Sequence, residues 1–231
     1  MSQIQLQEME DKFIKNNLEK TLRLLQILNE FSKNENLQDD LVLKGGCAIE
    51  VYLKQMKRLF SDIDLDYKIK NMHNIEEERN LFYNQLLFVM KNLQYNELSP
   101  KSRHSYSLDS FCFPYYNQVS NLDYVKIEIN YSYGEHLYAA EKRVWDILGT
   151  SFFVNVLSLE ELIGMKLKAL VERSSIKDLF DIYAILEEHS FKSLDRIRKA
   201  YLFYFTISSL KNVTAIEMID TISKKDMISK L

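Results

Sequence analysis

Between Ser61 and Ile69 the chain reads SDIDLDYKI, with Asp62, Asp64, Asp66 and Lys68 alternating against Ile63, Leu65, Tyr67 and Ile69. A period of two is the signature of an extended strand, so this stretch predicts three aspartates on one face and the apolar residues on the other. Two carboxylates two residues apart on such a strand have Cβ atoms roughly 7 Å apart and can share one hard cation. A DxD by itself is also what a solvated strand face looks like, so its neighbours decide its meaning.

Upstream, Leu41–Leu43 is a short apolar run, followed by Lys44, Gly45, Gly46 and Cys47, after which helical spacing is expected over Ala48–Gln55. A glycine pair between strand and helix lets backbone amides approach phosphate closely. A phosphate loop at Lys44, Gly45, Gly46 and Cys47 followed by a metal clamp at Asp62 and Asp64 makes one combined site.

The rest of the chain divides by pattern. A helix or two is expected from Gln5 to about Phe31, another over 74–93, and strands around Tyr106–Tyr116 and Tyr124–Tyr133, the second reading VKIEINYS. Glu128 shares its face with Lys126 and Asn130. From Ser158 to Leu231 the pattern is helical. The expected fold class is therefore α+β: a small mixed sheet with flanking helices over residues 1–155, and a C-terminal helical domain over 156–231.

Composition narrows the function classes. A net charge of -3 excludes a generally basic nucleic-acid coat, so any polyanion must meet a local patch. Lys142, Arg143, Lys192, Arg196, Arg198 and Lys199 are candidates for one. The two cysteines, Cys47 and Cys112, form no metal-like pair, the four histidines show no ligand spacing, and no apolar run of about 18 residues exists to cross a bilayer. A reduced cytoplasm and no membrane association are expected.

The segment KGGCAIEVYLKQMKRLFSDIDLDY, Lys44 to Tyr67, resembles the opening motif of the AbiEii-type nucleotidyltransferases, in which KGG-(S/T)-A-L precedes R-x-S-x-D-I-D-L. These are toxins of type IV toxin–antitoxin systems within the polymerase-β-like superfamily. GMKLKALVERSSIKDLFDIY, Gly164 to Tyr183, is similar to the family's G-x-K-x-x-A-L-x-x-R followed by R/K-D-L-F-D-L-Y, with Lys166, Ala169, Arg173, Lys177, Asp178 and Asp181 at matching positions. Two departures stand out. Cys47 replaces a small hydroxyl residue, and Ser61 directly precedes Asp62 where the family has its serine one residue earlier, at Phe60.

The resemblance implies that Asp62 and Asp64 hold Mg²⁺ or Mn²⁺ against the triphosphate of an NTP co-substrate. It implies that Lys166 neutralises phosphate charge alongside Lys44, Gly45, Gly46, Cys47 and Arg173, and that Asp178 completes the catalytic set. Glu128 is the candidate third carboxylate. The implied acceptor is RNA, a tRNA 3′ end above all, with a cognate antitoxin as partner. A small-molecule or protein acceptor, or a non-catalytic NTP-binding module, are the alternatives. By residue chemistry alone, Lys166 and Arg173 would pair with Glu161 and Glu172, Ser175 and Asp178 would form a capping box, and Lys177 would pair with Asp181.

Overall fold

The computed structural model describes residues 15–70, 74–105, 107–131, 136–191 and 194–208. The helical stretches expected before residue 15 and after residue 208, and the basic candidate Lys192, lie outside the described residues.

Helix α1 (Lys15–Lys33) leads into strand β1 (Leu41–Lys44), the short helix α2 (Gly45–Glu50), strand β2 (Ile63–Tyr67) and helix α3 (Ile75–Asn92). Strands β3 (Arg103–His104), β4 (Leu108–Tyr116), β5 (Leu122–Asn130), β6 (Glu141–Ile147) and β7 (Thr150–Val156) follow. Helices α4 (Leu159–Arg173), α5 (Ile176–Glu188) and α6 (Asp195–Ser208) come last. The fold is α+β, built on one mixed seven-stranded sheet in the order β3-β4-β5-β2-β1-β7-β6. β2 runs parallel to β5 and antiparallel to β1, and β1 runs parallel to β7.

Alternation along the strands sorts the sheet into two faces. Leu41, Leu43, Ile63, Leu65, Phe111, Phe113, Val125, Ile127 and Ile129 are buried on one of them. α1 packs with α3 and against β5 and β7. Tyr67, Phe82, Tyr83 and Phe111 close the contact between α3 and the sheet with ring centroids 5.5–6.2 Å apart. Burying this many large side chains stabilises at about 1.5–3 kcal/mol each, before the entropy of ordering is counted against it. The other face is left to polar residues of β2, β5 and β4. At the helical end, α6 crosses α4 at Gly164, where an added Cβ would collide with Ala200 and the backbone of Tyr201.

Two sequence expectations are corrected. The helix after the glycines is α2, which starts at Gly45 and stops at Glu50, instead of running from Ala48 to Gln55. It ends early because Glu50 turns its carboxylate to cap the amides of Lys57 (2.9 Å) and Arg58 (3.3 Å), so the chain folds back on itself. The hairpin β6–β7 was not expected. Its turn is Leu148-Gly149, both at positive φ (53° and 74°), the two-residue geometry that suits strand twist. It buries Trp145 against Phe152 but leaves Val144 and Phe153 outside, which blurs the alternation. No helix among the described residues is long and apolar enough to cross a membrane.

Candidate active site

Strand pairing assembles the site. Lys44 on β1 is opposite Asp64 on β2, and Asp64 is opposite Glu128 on β5. Residues directly paired in a sheet point to the same face, so Asp64 and Glu128 lean together, with Asp62 just before β2 joining them. One carboxylate oxygen from each of Asp62, Asp64 and Glu128 lies within 4.8 Å of the other two, all three half-buried. Burial first, then the charges of Asp62 and Glu128, push the Asp64 carboxyl up to about 7. Burial also works to raise Glu128, but its ion pair with Lys126 (2.7 Å) and hydrogen bonds with Asp64 and Ser110 outweigh it and hold its pKa down. Three carboxylates so close repel one another, and hard oxygen donors at this spacing suit a divalent cation such as Mg²⁺ or Mn²⁺.

Gly45 is at φ +71°, and a Cβ there would fall inside the Asp64 carboxylate. A Cβ on Gly46 would overlap the Arg58 guanidinium. The glycine pair is thus wedged between a cluster carboxylate and an arginine. Cys47 is buried at 1% exposure, its thiol pushed well above its ordinary value by burial and then by Asp64. Lys44 extends to Asp66, and the two form an ion pair at 2.5 Å. Asp66 shares the face of Asp64, as the alternation predicts, but is buried against Lys44 instead of solvated, with His136 3.9 Å away.

The helical half supplies cations. Lys166 is only 8% exposed, and its ammonium donates to Asp178 (3.0 Å) and contacts Asp181 (2.7 Å). Arg173 grips Asp178 through Nε (2.7 Å) and Nη2 (2.8 Å). Burial acts to raise Asp178, and Arg173 and Lys166 overcome it to hold the carboxyl below its usual range. The hydrogen bond to Asp178 first, with the charges of Asp178, Asp64 and Asp181, raises Arg173 against burial, and Asp181 joins Lys166 to Arg58, whose guanidinium lies against Gly46.

The local pairings expected from sequence do not form. Ser175 caps α5 with no side-chain hydrogen bond: the Asp178 amide donates to the Ser175 carbonyl (3.1 Å), and the Asp178 carboxylate is turned to Lys166 and Arg173. Asp181 pairs with Arg58 and Lys166 and leaves Lys177 aside. Glu172 takes Lys168, and Glu161, fully buried, accepts the amides of Leu137 (3.0 Å) and Tyr138 (3.1 Å) and the Tyr204 hydroxyl. Helical spacing points to neighbours on one helix, as Lys168 and Glu172 are, whereas Lys166, Asp178, Asp181 and Glu161 bond between elements.

Sequence reasoning missed Arg58. Its Nε and Nη2 hold Asp181 at 2.5 and 2.8 Å, tying the segment before β2 to α5. The available signal was its place at the head of the R-x-S-x-D stretch. Of the basic candidates, Lys142, Arg143, Arg196 and Lys199 each face a carboxylate.

The sequence model of the family described as nucleotidyl transferase AbiEii toxin, Type IV TA system, matches residues 26–227. Among solved structures, MenT4, the nucleotidyltransferase toxin Rv2826c from Mycobacterium tuberculosis, is similar with a TM-score of 0.59 at 10% identity, covering 94% of this chain and 85% of that one. JHP933 from Helicobacter pylori is similar with a TM-score of 0.54 at 18% identity, over 93% and 92% of the two chains. The antibiotic-resistance factor ANT(2'')-Ia is similar with a TM-score of 0.51 at 15% identity, over 83% and 94%. At these identities the likeness is one of fold. No curated protein sequence matches.

Proposed function

The chain belongs to the AbiEii family of nucleotidyltransferase toxins, and from that premise we propose that it moves NMP from an NTP to the 3′ hydroxyl of an RNA, a tRNA above all, in a metal-dependent reaction at Asp62, Asp64 and Glu128. An NTP substrate and an antitoxin partner follow from the family. The observation that carries the reading of the site is the convergence of those three carboxylates beside Gly45-Gly46, with Arg58 and Asp181 linking the glycines to Lys166.

In this reading Asp62, Asp64 and Glu128 hold a divalent cation, Mg²⁺ or Mn²⁺, which when bound neutralises phosphate charge and makes the attacking hydroxyl more acidic. The backbone at Gly45 and Gly46 lies along the triphosphate, and Lys166 and Arg173 offset its negative charge. The acceptor hydroxyl oxygen bonds to the α-phosphorus as the bond to the α,β-bridging oxygen breaks. Pyrophosphate leaves with that electron pair, and the hydroxyl proton passes to Glu128 and on to water. Such transfer depends on positioning and charge neutralisation, so the set is sufficient. Asp178 and Asp181 have a positioning role, since both are spent on Lys166 and the arginines. Lys44 likewise acts through Asp66, and Cys47 is buried in the hydrophobic core. A sheet-bearing unit over 1–155 and a helical unit over 156–231 would then meet at the nucleotide, in the cytoplasm where NTPs and tRNA are found.

The test is incubation with each NTP labelled at the α-phosphate, a divalent cation and total tRNA. Labelled RNA is the expected product with the native protein and none with Asp62→Ala. Label in a small molecule or in protein would move the acceptor to that class, and absence of product with every NTP would overturn the reading.

A further inference from the structure

The pairing register that joins Asp64 to Glu128 does not stop there. Glu128 is opposite Ser110 on β4, and Ser110 is opposite Arg103 on β3. Lys44, Asp64, Glu128, Ser110 and Arg103 therefore form one transverse row across five strands, all directed to the same face. Three strand spacings put Arg103 about 14 Å from Asp64. Between them lies a cavity of about 460 Å³, lined by Lys101, Arg103, Ser110, Lys126 and Glu128 among others.

Three cations thus surround one carboxylate in a chain whose net charge is -3. Lys126 is engaged by Glu128, and Lys101 is held over the Tyr124 ring at 3.8 Å, which leaves its charge unneutralised. Arg103 has no carboxylate partner among the described residues and is exposed. Local positive potential of this kind attracts a polyanion. The cavity has room for a nucleotide-sized group, and its lining extends from Glu128 on β5 to Arg103 on β3, the edge strand of the sheet.

We propose that this cavity is the acceptor subsite, and that it takes the terminal nucleotides of a single-stranded nucleic acid, with phosphates against Lys101 and Arg103 and the terminal hydroxyl delivered to Glu128. The inference rests on the nucleotidyltransfer reading above and adds where the acceptor sits and which side chains hold it. In-line displacement needs the attacking and leaving oxygens on opposite sides of phosphorus. The sheet order supplies that: β1 with its glycines flanks β2 on one side, and β5, β4 and β3 flank it on the other. The triphosphate on the β1 side and the acceptor on the β3 side meet over Asp64. A cationic acceptor is disfavoured by the same charges.

The experiment measures binding apart from turnover. A fluorescein-labelled single-stranded oligoribonucleotide of about ten nucleotides, within the usual span of single-strand sites, is titrated into the native chain and into Lys101→Glu/Arg103→Glu, with anisotropy as readout. The expected result is binding to the native chain, weakened at least tenfold in the variant. The slope of log affinity against log salt should fall by about 1.4, two contacts at 0.7 each. NTP-induced thermal stabilisation should be the same in both, which also shows that the variant folds. Equal RNA affinity in the two proteins, no RNA binding to the native chain, or tighter capture of a cationic acceptor by the variant would each overturn the proposal. Charge-dependent RNA binding without any labelled product would sink the catalytic reading and leave this surface standing.

Discussion

The Asp64 carboxylate fills the space in which a Cβ on Gly45 would lie, and Gly45 has the positive φ of 71° that lets the chain pass it. The loop at the end of β1 and the carboxylate side of β2 are therefore one packed unit. The close approach that brings backbone amides to the site also excludes every residue but glycine.

Gly45→Ala should accordingly be more severe than a surface glycine change. The left-handed backbone costs an L-residue about 1–2 kcal/mol, and the methyl displaces Asp64 from Asp62 and Glu128. The expected outcome is a fall in NMP transfer of 100-fold or more, with loss of Mn²⁺-induced thermal stabilisation, in a protein whose circular dichroism is native. A variant that still gains stability from Mn²⁺ would mean that Asp64 is free of the loop.

The raised pKa of Asp64 gives a stability signature in chelator. An unfolded aspartate titrates near 3.9, and the folded one near 7. Between those values the folded state holds a proton that the unfolded state has lost, so this contribution is intact below about 4 and is lost as pH rises to about 7. Glu50, pushed up to about 7 chiefly by burial, acts with the same sign. In EDTA the native chain should therefore melt lower at pH 8 than at pH 5.5, and Asp64→Asn should reduce that difference without erasing it. Stabilisation by Mn²⁺ should run the other way, larger at pH 8, because the ion needs ionised carboxylates. Thermal melts with and without metal at the two pH values check both.

Much of this site was legible in the sequence, for reasons that differ by residue. Asp62 and Asp64 declare themselves through period-two alternation, because a strand's side-chain direction is fixed by the backbone alone. Glu128 could be placed on a face but not next to Asp64, since parallel pairing of β2 with β5 is a long-range fact. Asp66 has the same periodicity as Asp64 and a different fate, decided by the reach of Lys44. Asp178 and Asp181 looked like a cap and a helix-surface residue because local partners are visible in sequence and distant ones are not. The hairpin β6–β7 was hidden because its exposed Val144 and Phe153 interrupt the expected polar positions.

Lys166 is held between two buried carboxylates, and that arrangement lets a structural role be separated from the proposed catalytic one. Removing one partner of a buried ion pair costs about 3–5 kcal/mol, because the remaining charge is left uncompensated. Lys166→Met should approach that loss, tempered by the arginines on Asp178 and Asp181. Lys166→Met/Asp181→Asn removes the surplus negative charge and should recover a substantial part of the stability, as read by urea denaturation. Transfer activity should remain lost in both. Activity returning with stability would reduce Lys166 to a scaffold residue.

Arg58 offers the sharpest test of how the two halves of the site are coupled. Its guanidinium holds Asp181 with two nitrogens and lies where a Cβ on Gly46 would point. A lysine makes one contact where the planar fork makes two, so Arg58→Lys should lower the rate about tenfold and destabilise by about 1–2 kcal/mol, as the loss of a charged hydrogen bond does. Gly46→Ala in the native background forces the guanidinium off Asp181 and should cost about as much. In the Arg58→Lys background the obstructing nitrogen is gone, so adding Gly46→Ala should cost little more. The two changes should therefore be strongly non-additive in a double-mutant cycle, in stability and in kcat alike. Simple additivity would show that the glycine loop and the Arg58–Asp181 pair act independently, and that the contact between them transmits nothing to the site.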